Sequence, residues 1–333
     1  MPRYTTVDYH TAGEPFRIVT GGLAEIAGTT VAQRRVTAAA SQPVDRVRQL
    51  LCHEPRGHAD MYGCFLVPPD DAGADLGVLF WHRDGFSTAC GHGTIALGAW
   101  AVESGRVAAD PDGDTDVRID VPSGRVTARV HCRAGAVESV TFRNVPSYVL
   151  ARGLRLATEL GTVTVDVSYG GAIYASVPAA AFGLTVTPDR HRELIAAGRA
   201  VQLALAGTEA ARHPGDDRLS GVYGTILYDE LPATESGPRQ RNVTVFADGQ
   251  VDRSPCGSGT SARLALLADE LAGGAVLTHD SIVGSTFLGR VVGTTEADGR
   301  PAVHTEIDGC AYRTGEHAFT LDPRDPLPGF VLR

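Results

Sequence analysis

The chain has 333 residues, 43% of them hydrophobic, with 39 glycines and 19 prolines, which is room for two domains of ordinary size in a globular, loop-rich enzyme. A formal charge of -9 and the absence of any basic run exclude nucleic acid and an anionic membrane surface as main partners, so small-molecule chemistry is the expectation. All 30 of its cationic residues are arginine, which rules out a pyridoxal phosphate Schiff base and a Walker lysine.

In chain order, an alternating strand is predicted at Thr5 to Tyr9, then a Thr-Ala-Gly turn at 11 to 13 and a second strand at Phe16 to Thr20. A helix is expected over Val44 to Leu51, a strand over Met61 to Val67 with Tyr62-Gly63 near its start, and another over Gly77 to Trp81. An apolar helical run then covers Ile95 to Val102. Val117 to Val121 and Val126 to Val130 flank Pro122-Ser123-Gly124-Arg125 as a hairpin, with a further strand at Val137 to Arg143 and a domain junction near Asn144 to Leu154.

The same order then recurs. Strands at Val163 to Val167 and Ile173 to Val177 flank Gly170-Gly171, a helix covers Asp189 to Ala206, and a strand at Val222 to Tyr228 carries Tyr223-Gly224. A strand at Asn242 to Phe246 and a helical run at Ala262 to Leu271 follow, with a loop insertion expected around Glu230 to Arg239. The remaining segment reads as strands at Thr286 to Val292, Ala302 to Ile307 and Gly315 to Leu321. The Pro-rich tail, Asp322 to Pro328, ends in Phe330-Val331-Leu332 and is expected to dock on the first domain. The expected domains are therefore 1–148 with the tail 322–333, and 149–321.

The repeat is clearest at Cys90-Gly91-His92-Gly93-Thr94 and Cys256-Gly257-Ser258-Gly259-Thr260, 166 positions apart. Each Cys-Gly-x-Gly-Thr precedes a helical run, so each thiol is expected at a helix N-terminus. The other cysteines, 52, 64, 132 and 310, read as packing residues, since six scattered cysteines form no disulfide framework. Residues 1–6 lack the apolar core of a signal peptide, and no run is long enough to span a bilayer, so a cytoplasmic setting is expected.

A helix N-terminus favours thiolate and offers unpaired N–H groups to an anion. The amides of Gly91, His92, Gly257 and Ser258 are placed to hold a carboxylate, and a thiolate is a usable base for the proton alpha to it. If one thiol removes that proton and the other returns one to the opposite face, the carbon is inverted. Asp252 and His92 stand near enough in sequence to meet a substrate amine. Other readings remain open on these residues: Cys90 with His92 as a metal half-site, against which Ser258 is no ligand; a redox pair; buried cysteines in structural turns; Asp252 and His92 as caps.

Two stretches, Asp252 to Ala262 and Ala89 to Ala96, resemble the signature segments of the proline racemase family, and His10-Thr11-Ala12-Gly13-Glu14-Pro15 and Glu54-Pro55-Arg56-Gly57-His58 are similar to further family motifs. The resemblance covers nearly the whole chain. It implies an α/β (α+β) diaminopimelate epimerase-like fold: two pseudo-symmetric domains, each with strands wrapped around a central helix, and the active site at the domain interface. It implies a cofactor-independent isomerase with Cys90 and Cys256 as acid/base pair, and Gly91, His92, Asp252, Gly257 and Ser258 at the substrate. The partner is a small molecule, proline or hydroxyproline, no metal is called for, and a homodimer is left open as the assembly.

Within the family, dehydratases of 3-hydroxyproline resemble this chain but replace the second cysteine, typically by threonine; Cys256 therefore favours an epimerase or racemase. Tyr62 and Ser87 occupy positions that are apolar in proline racemases, while Phe246 keeps its aromatic character. Hydroxyls there are suited to a substrate hydroxyl. The expectation is a 4-hydroxyproline 2-epimerase converting trans-4-hydroxy-L-proline to cis-4-hydroxy-D-proline, with a proline racemase and a 3-hydroxyproline dehydratase as alternatives.

Overall fold

The structure, a computed structural model, describes residues 2–327 and 329–332. Met1, Pro328 and Arg333, which the expected domain limits and tail include, lie outside the described residues. The chain divides into two compact units, Met1–Val140 with Cys310–Arg333, and Thr141–Gly309.

The first unit contains β1 (Arg3–Thr11), β2 (Glu14–Gly21), α1 (Val31–Ala40), α2 (Gln42–Cys52), β3 (Gly63–Val67), β4 (Leu76–His82), β5 (Gly85–Phe86), α3 (Gly91–Glu103), β6 (Asp114–Val121) and β7 (Gly124–Arg133). Strand β8 (Ala136–Arg143) carries the chain onward. The second contains β9 (Ser147–Thr158), β10 (Gly161–Tyr169), β11 (Ile173–Pro178), α4 (His191–Leu205), β12 (Val222–Thr234), β13 (Gly237–Phe246), β14 (Gln250–Asp252), α5 (Gly257–Leu266), β15 (Leu277–Ser281), β16 (Thr286–Ala297) and β17 (Arg300–Gly309). Strand β18 (Ala311–Thr320) belongs to the first unit again.

Strand pairing repeats between the units. In the first, β1 is antiparallel to β18 and β2, β2 is parallel to β3, β3 antiparallel to β4, and β4 parallel to β6, which is antiparallel to β7. In the second, β10 is antiparallel to β9 and β11, β11 parallel to β12, β12 antiparallel to β13, and β13 parallel to β15, which is antiparallel to β16. Here β17 pairs with both β16 and β9, closing the ring.

Each set of strands packs around one helix. Helix α3 packs on β1, β2, β6, β7 and β18, and α5 on β9, β10, β11, β16 and β17. Both carry small and apolar residues on every side, the composition of a helix with no solvent face. All residues of α5 are buried, as are Gly91 to Ala101 of α3. Gly98 lets α3 approach β7, since a Cβ there would stand 2.6 Å from that of Ala128. Fully buried side chains such as Ile95, Leu97 and Leu264 each contribute roughly 1.5–3 kcal/mol.

Several expectations are corrected by the pairing. The first unit ends at 140 rather than 148, and the chain returns to it at Cys310 rather than 322, because β18 pairs with β1 along its whole length. The segment 144–154 is largely β9, held by β10, rather than a junction. Residues 230–239 are not a loop insertion but the far ends of β12 and β13, which continue as a hairpin to Thr234 and Gly237. Helix α5 begins at Gly257 and ends at Leu266, five residues before the predicted run on each side.

Among the elements that went unpredicted, besides β9, are α1 and β15. Helix α1 has a reciprocal start, with Thr30 accepting from the Gln33 amide and Gln33 Oε1 accepting from the Thr29 amide, a capping signal present in Thr30-Val31-Ala32-Gln33. Strand β15 is polar in sequence, and its buried His279 and Asp280 conceal it from any apolar pattern. Within the first unit the tail docks as expected, with Glu54 and Phe330 exchanging backbone hydrogen bonds of 3.1 and 2.9 Å. Among the described residues, no helix is long and apolar enough to cross a membrane.

Candidate active site

In the first unit, Cys90 is the N-cap of α3, and its sulfur accepts the Gly93 amide at 3.2 Å. His92 stands in the first turn with its ring nitrogens 3.5 and 3.6 Å from that sulfur. Phe16 and Tyr62 enclose the imidazole edge-on, with centroids 5.7 and 5.0 Å away. Burial holds His92 down to about 3, so the ring is neutral at pH 7. Thr11, from the His10 to Pro15 motif, donates to the His92 carbonyl at 2.9 Å and fixes the start of the helix. Tyr62 and Ser87 are buried and share a short hydrogen bond.

The Glu54 to His58 motif has a different place. Arg56 reaches the Thr320 carbonyl and pairs with Asp325, while its own carbonyl accepts from Arg17. Its work is to join the tail and the α2 end to the sheet.

In the second unit, Cys256 is the N-cap of α5, with φ 65°, a left-handed backbone that costs a non-glycine residue of order 1–3 kcal/mol. Such strain is concentrated at functional sites. Cys90, at φ -157°, is extended, so the two copies of the motif differ in backbone. Asp252, at the end of β14, accepts from the Ser254 amide at 2.8 Å and hydroxyl at 2.7 Å, and the Cys256 thiol hydrogen-bonds to it. Ser254 Oγ in turn accepts the Cys256 amide at 3.1 Å. Tyr174 Oη lies 3.8 Å from the sulfur.

Burial raises the Asp252 carboxyl to about 6 against the pull of the Ser254 donors. Burial, and next the Asp252 charge, push the Cys256 thiol well up from its ordinary value. The helix end is expected to favour thiolate, but removal from water wins at Cys256. Phe246 is buried, stacked on Tyr223 at 5.6 Å, and Tyr223 meets Tyr174 edge-on at 5.6 Å. Ser258 Oγ is buried with no hydrogen-bond partner among the described residues.

The structure thus gathers Cys90, Gly91, His92, Tyr62 and Ser87 in the first unit, and Cys256, Gly257, Ser258, Asp252 and Phe246 in the second. Sequence reasoning missed Phe16, Tyr174 and Ser254. The first two stand three residues after Gly13 and Gly171, the turn glycines of the repeat, so matching the halves position by position would have found them.

The proline racemase family model matches residues 6–331. The chain belongs to the proline racemase family. A trans-3-hydroxy-L-proline dehydratase of Bacillus thuringiensis subsp. konkukian is 43% identical over 99% of this chain and 98% of its own length. A 3-hydroxyproline 2-epimerase of Burkholderia multivorans is likewise 43% identical, over the same shares. Among solved structures, a hydroxyproline epimerase from Agrobacterium vitis with bound trans-4-hydroxy-L-proline superposes with a TM-score of 0.91 at 33% identity, covering 99% of this chain and 96% of that one. The fold is the diaminopimelate epimerase-like fold of this family, and the family member described here is an enzyme.

Proposed function

We propose that this chain is a cofactor-independent hydroxyproline 2-epimerase that inverts the alpha carbon of trans-4-hydroxy-L-proline, with Cys90 and Cys256 as its two proton-transfer groups. The observation that carries this reading is the duplicated placement of a thiol on the N-cap of each central helix. The first turn of a helix cannot pair its own N–H groups, so the amides of Gly91, His92, Gly257 and Ser258 are suited to the substrate carboxylate. Donors fixed where charge grows on the carboxylate during deprotonation supply the largest part of such catalysis.

The ionisable groups divide the work. Cys256, held as the thiol by burial and by Asp252, is the proton donor for the L substrate, and Cys90, whose sulfur accepts the Gly93 amide, is the base. For the D epimer the roles reverse. Asp252 carries its charge above about pH 6 and meets the substrate ammonium, beside which a neutral His92 adds no repulsion. The buried Tyr62–Ser87 pair makes the surroundings of His92 polar, which suits a hydroxylated substrate better than an apolar pocket would.

Incubation with trans-4-hydroxy-L-proline in deuterated water, followed by NMR and polarimetry, is expected to give the cis-4-hydroxy-D epimer labelled only at the alpha carbon. Absence of alpha exchange overturns the reading.

A second reading, dehydration of trans-3-hydroxy-L-proline, is favoured by the names of relatives at 42 and 43% identity. There one base removes the alpha proton, the 3-hydroxyl leaves as water, and the enamine tautomerises to a cyclic imine. Retention of Cys256 supports inversion over elimination. The trans-3 isomer in the same experiment separates epimer from imine.

A further inference from the structure

Gln250 is fully buried, and among the described residues neither polar atom of its carboxamide has a hydrogen-bond partner. An amide taken from water in this state is unfavourable, and buried polar groups in folded proteins are nearly always matched. Its direction follows from the sheet. Thr225 of β12 donates to the Gly198 carbonyl of α4, and a Cβ on Gly198 would meet Val245 of β13, so Thr225 and Val245 form the face that α4 covers. Val251 of β14 is in register with Val245.

Successive side chains alternate, so Thr244, Phe246, Gln250 and Asp252 share the opposite face, Gln250 beside Phe246 and Asp252 beside Thr244. On that face Ile226, in register with Thr244, reaches the first turn of α5 at Gly259, and Asp252 bonds the Cys256 thiol. Gln250 therefore lies two residues, roughly 6–7 Å along the strand, from the acid of the candidate site. Ser258 Oγ, at the start of α5, is another buried polar atom of this unit without a partner among the described residues.

We propose that Gln250 is a specificity-determining residue that holds the ring hydroxyl of the substrate, an inference that rests on the hydroxyproline reading above. The other polar groups of a hydroxyproline have partners: the carboxylate takes helix-terminal amides and the ammonium takes Asp252. A hydroxyl both donates and accepts, and a carboxamide answers both, with Nε2 donating to the hydroxyl oxygen and Oε1 accepting its proton. The Tyr62 and Ser87 hydroxyls already bond one another, whereas the Gln250 amide has no partner among the described residues. A site built to bond a hydroxyl rejects the analogue lacking it, so L-proline is the natural competitor.

The test compares wild type with Gln250→Met, which keeps the length and removes both polar atoms, and Gln250→Glu, which keeps the shape and loses the donor. For each, kcat/KM for alpha-proton exchange and Kd by calorimetry are measured with trans-4-hydroxy-L-proline, trans-3-hydroxy-L-proline and L-proline. Gln250→Met is expected to lower kcat/KM for the preferred hydroxyproline about 100-fold while L-proline changes less than about threefold, so that the preference collapses. Gln250→Glu is expected to lose about tenfold of the preference. Equal losses for all three substrates, or an unchanged preference in the folded Glu variant, would mean that the amide serves packing or an internal water, and overturn the proposal. A wild type that binds hydroxyproline without exchange refutes the epimerase reading alone, and the ratio of Kd values then decides the role of Gln250. A wild type that binds none of the three overturns both.

Discussion

The Gly93 amide donates to the Cys90 sulfur across 3.2 Å, and a Cβ on Gly93 would stand 2.7 Å from that same sulfur. The second copy repeats the constraint, with a Cβ on Gly259 coming 2.9 Å from the Cys256 sulfur. The second glycine of each Cys-Gly-x-Gly-Thr is therefore what lets a thiol sit over the helix end. Gly259→Ala is expected to leave the chain folded and lower kcat by about 10- to 100-fold, since small misplacements of reacting groups have large kinetic effects. Steady-state epimerisation with a circular dichroism melt checks both parts.

Replacing either thiol removes a proton-transfer group. Cys90→Ser and Cys256→Ser are each expected to cut epimerisation by at least about a thousandfold with the fold retained, a hydroxyl being far weaker as an acid or base at neutral pH. Near-normal turnover in either variant would take that cysteine out of the mechanism.

The pH dependence follows from Asp252. Its carboxyl is raised to about 6, and the ionised form is the one that meets an ammonium, so kcat/KM is expected to fall as pH drops below about 6. Stability has the opposite sign. A carboxyl raised on folding binds its proton more tightly in the native state, so the native state gains stability as pH falls from about 6 towards 4 and is penalised above that window. Asp252→Asn should lose activity at every pH yet melt no lower than wild type at pH 8. A profile flat across pH 5 to 7 in the wild type would exclude this role.

Tyr174 is the nearest test of the Cys256 environment. Its hydroxyl lies 3.8 Å from the sulfur and helps hold the thiol pKa down against burial. Tyr174→Phe is expected to slow alkylation of Cys256 by iodoacetamide severalfold and to reduce kcat by about tenfold, with little change in melting temperature. Peptide mapping of the modified cysteine provides the readout; unchanged alkylation counts against the contact.

Much of the architecture was legible because it was written twice. The strand patterns at 5–9 and 163–167, the tyrosine-glycine starts at 62 and 223, and the two cysteine motifs each support the other, and the observed pairings repeat in the same order. What escaped were elements whose apolar pattern is weak: α1, marked by a cap rather than a stripe, and β15, whose buried His279 and Asp280 take their partners from α5, β13 and β16. The far ends of β12 and β13 read as a loop insertion because Tyr223 and Cys256 stand 33 residues apart where Tyr62 and Cys90 stand 28, and the extra length is spent on a longer hairpin.

At the candidate site the division is the same. The sequence by itself determined that two thiols begin two helices, that no lysine is available for pyridoxal chemistry, and that His92 and Asp252 accompany different copies of the motif, because these are properties of local order and residue type. Only the tertiary structure decided that burial keeps Cys256 protonated and His92 neutral, that Phe16 and Tyr174 stand at the two sites, and that the Gln250 amide is buried without a partner among the described residues, beside Phe246 on the strand face that carries Asp252. Desolvation and shared strand faces are set by residues far apart in the chain, and no local pattern contains them.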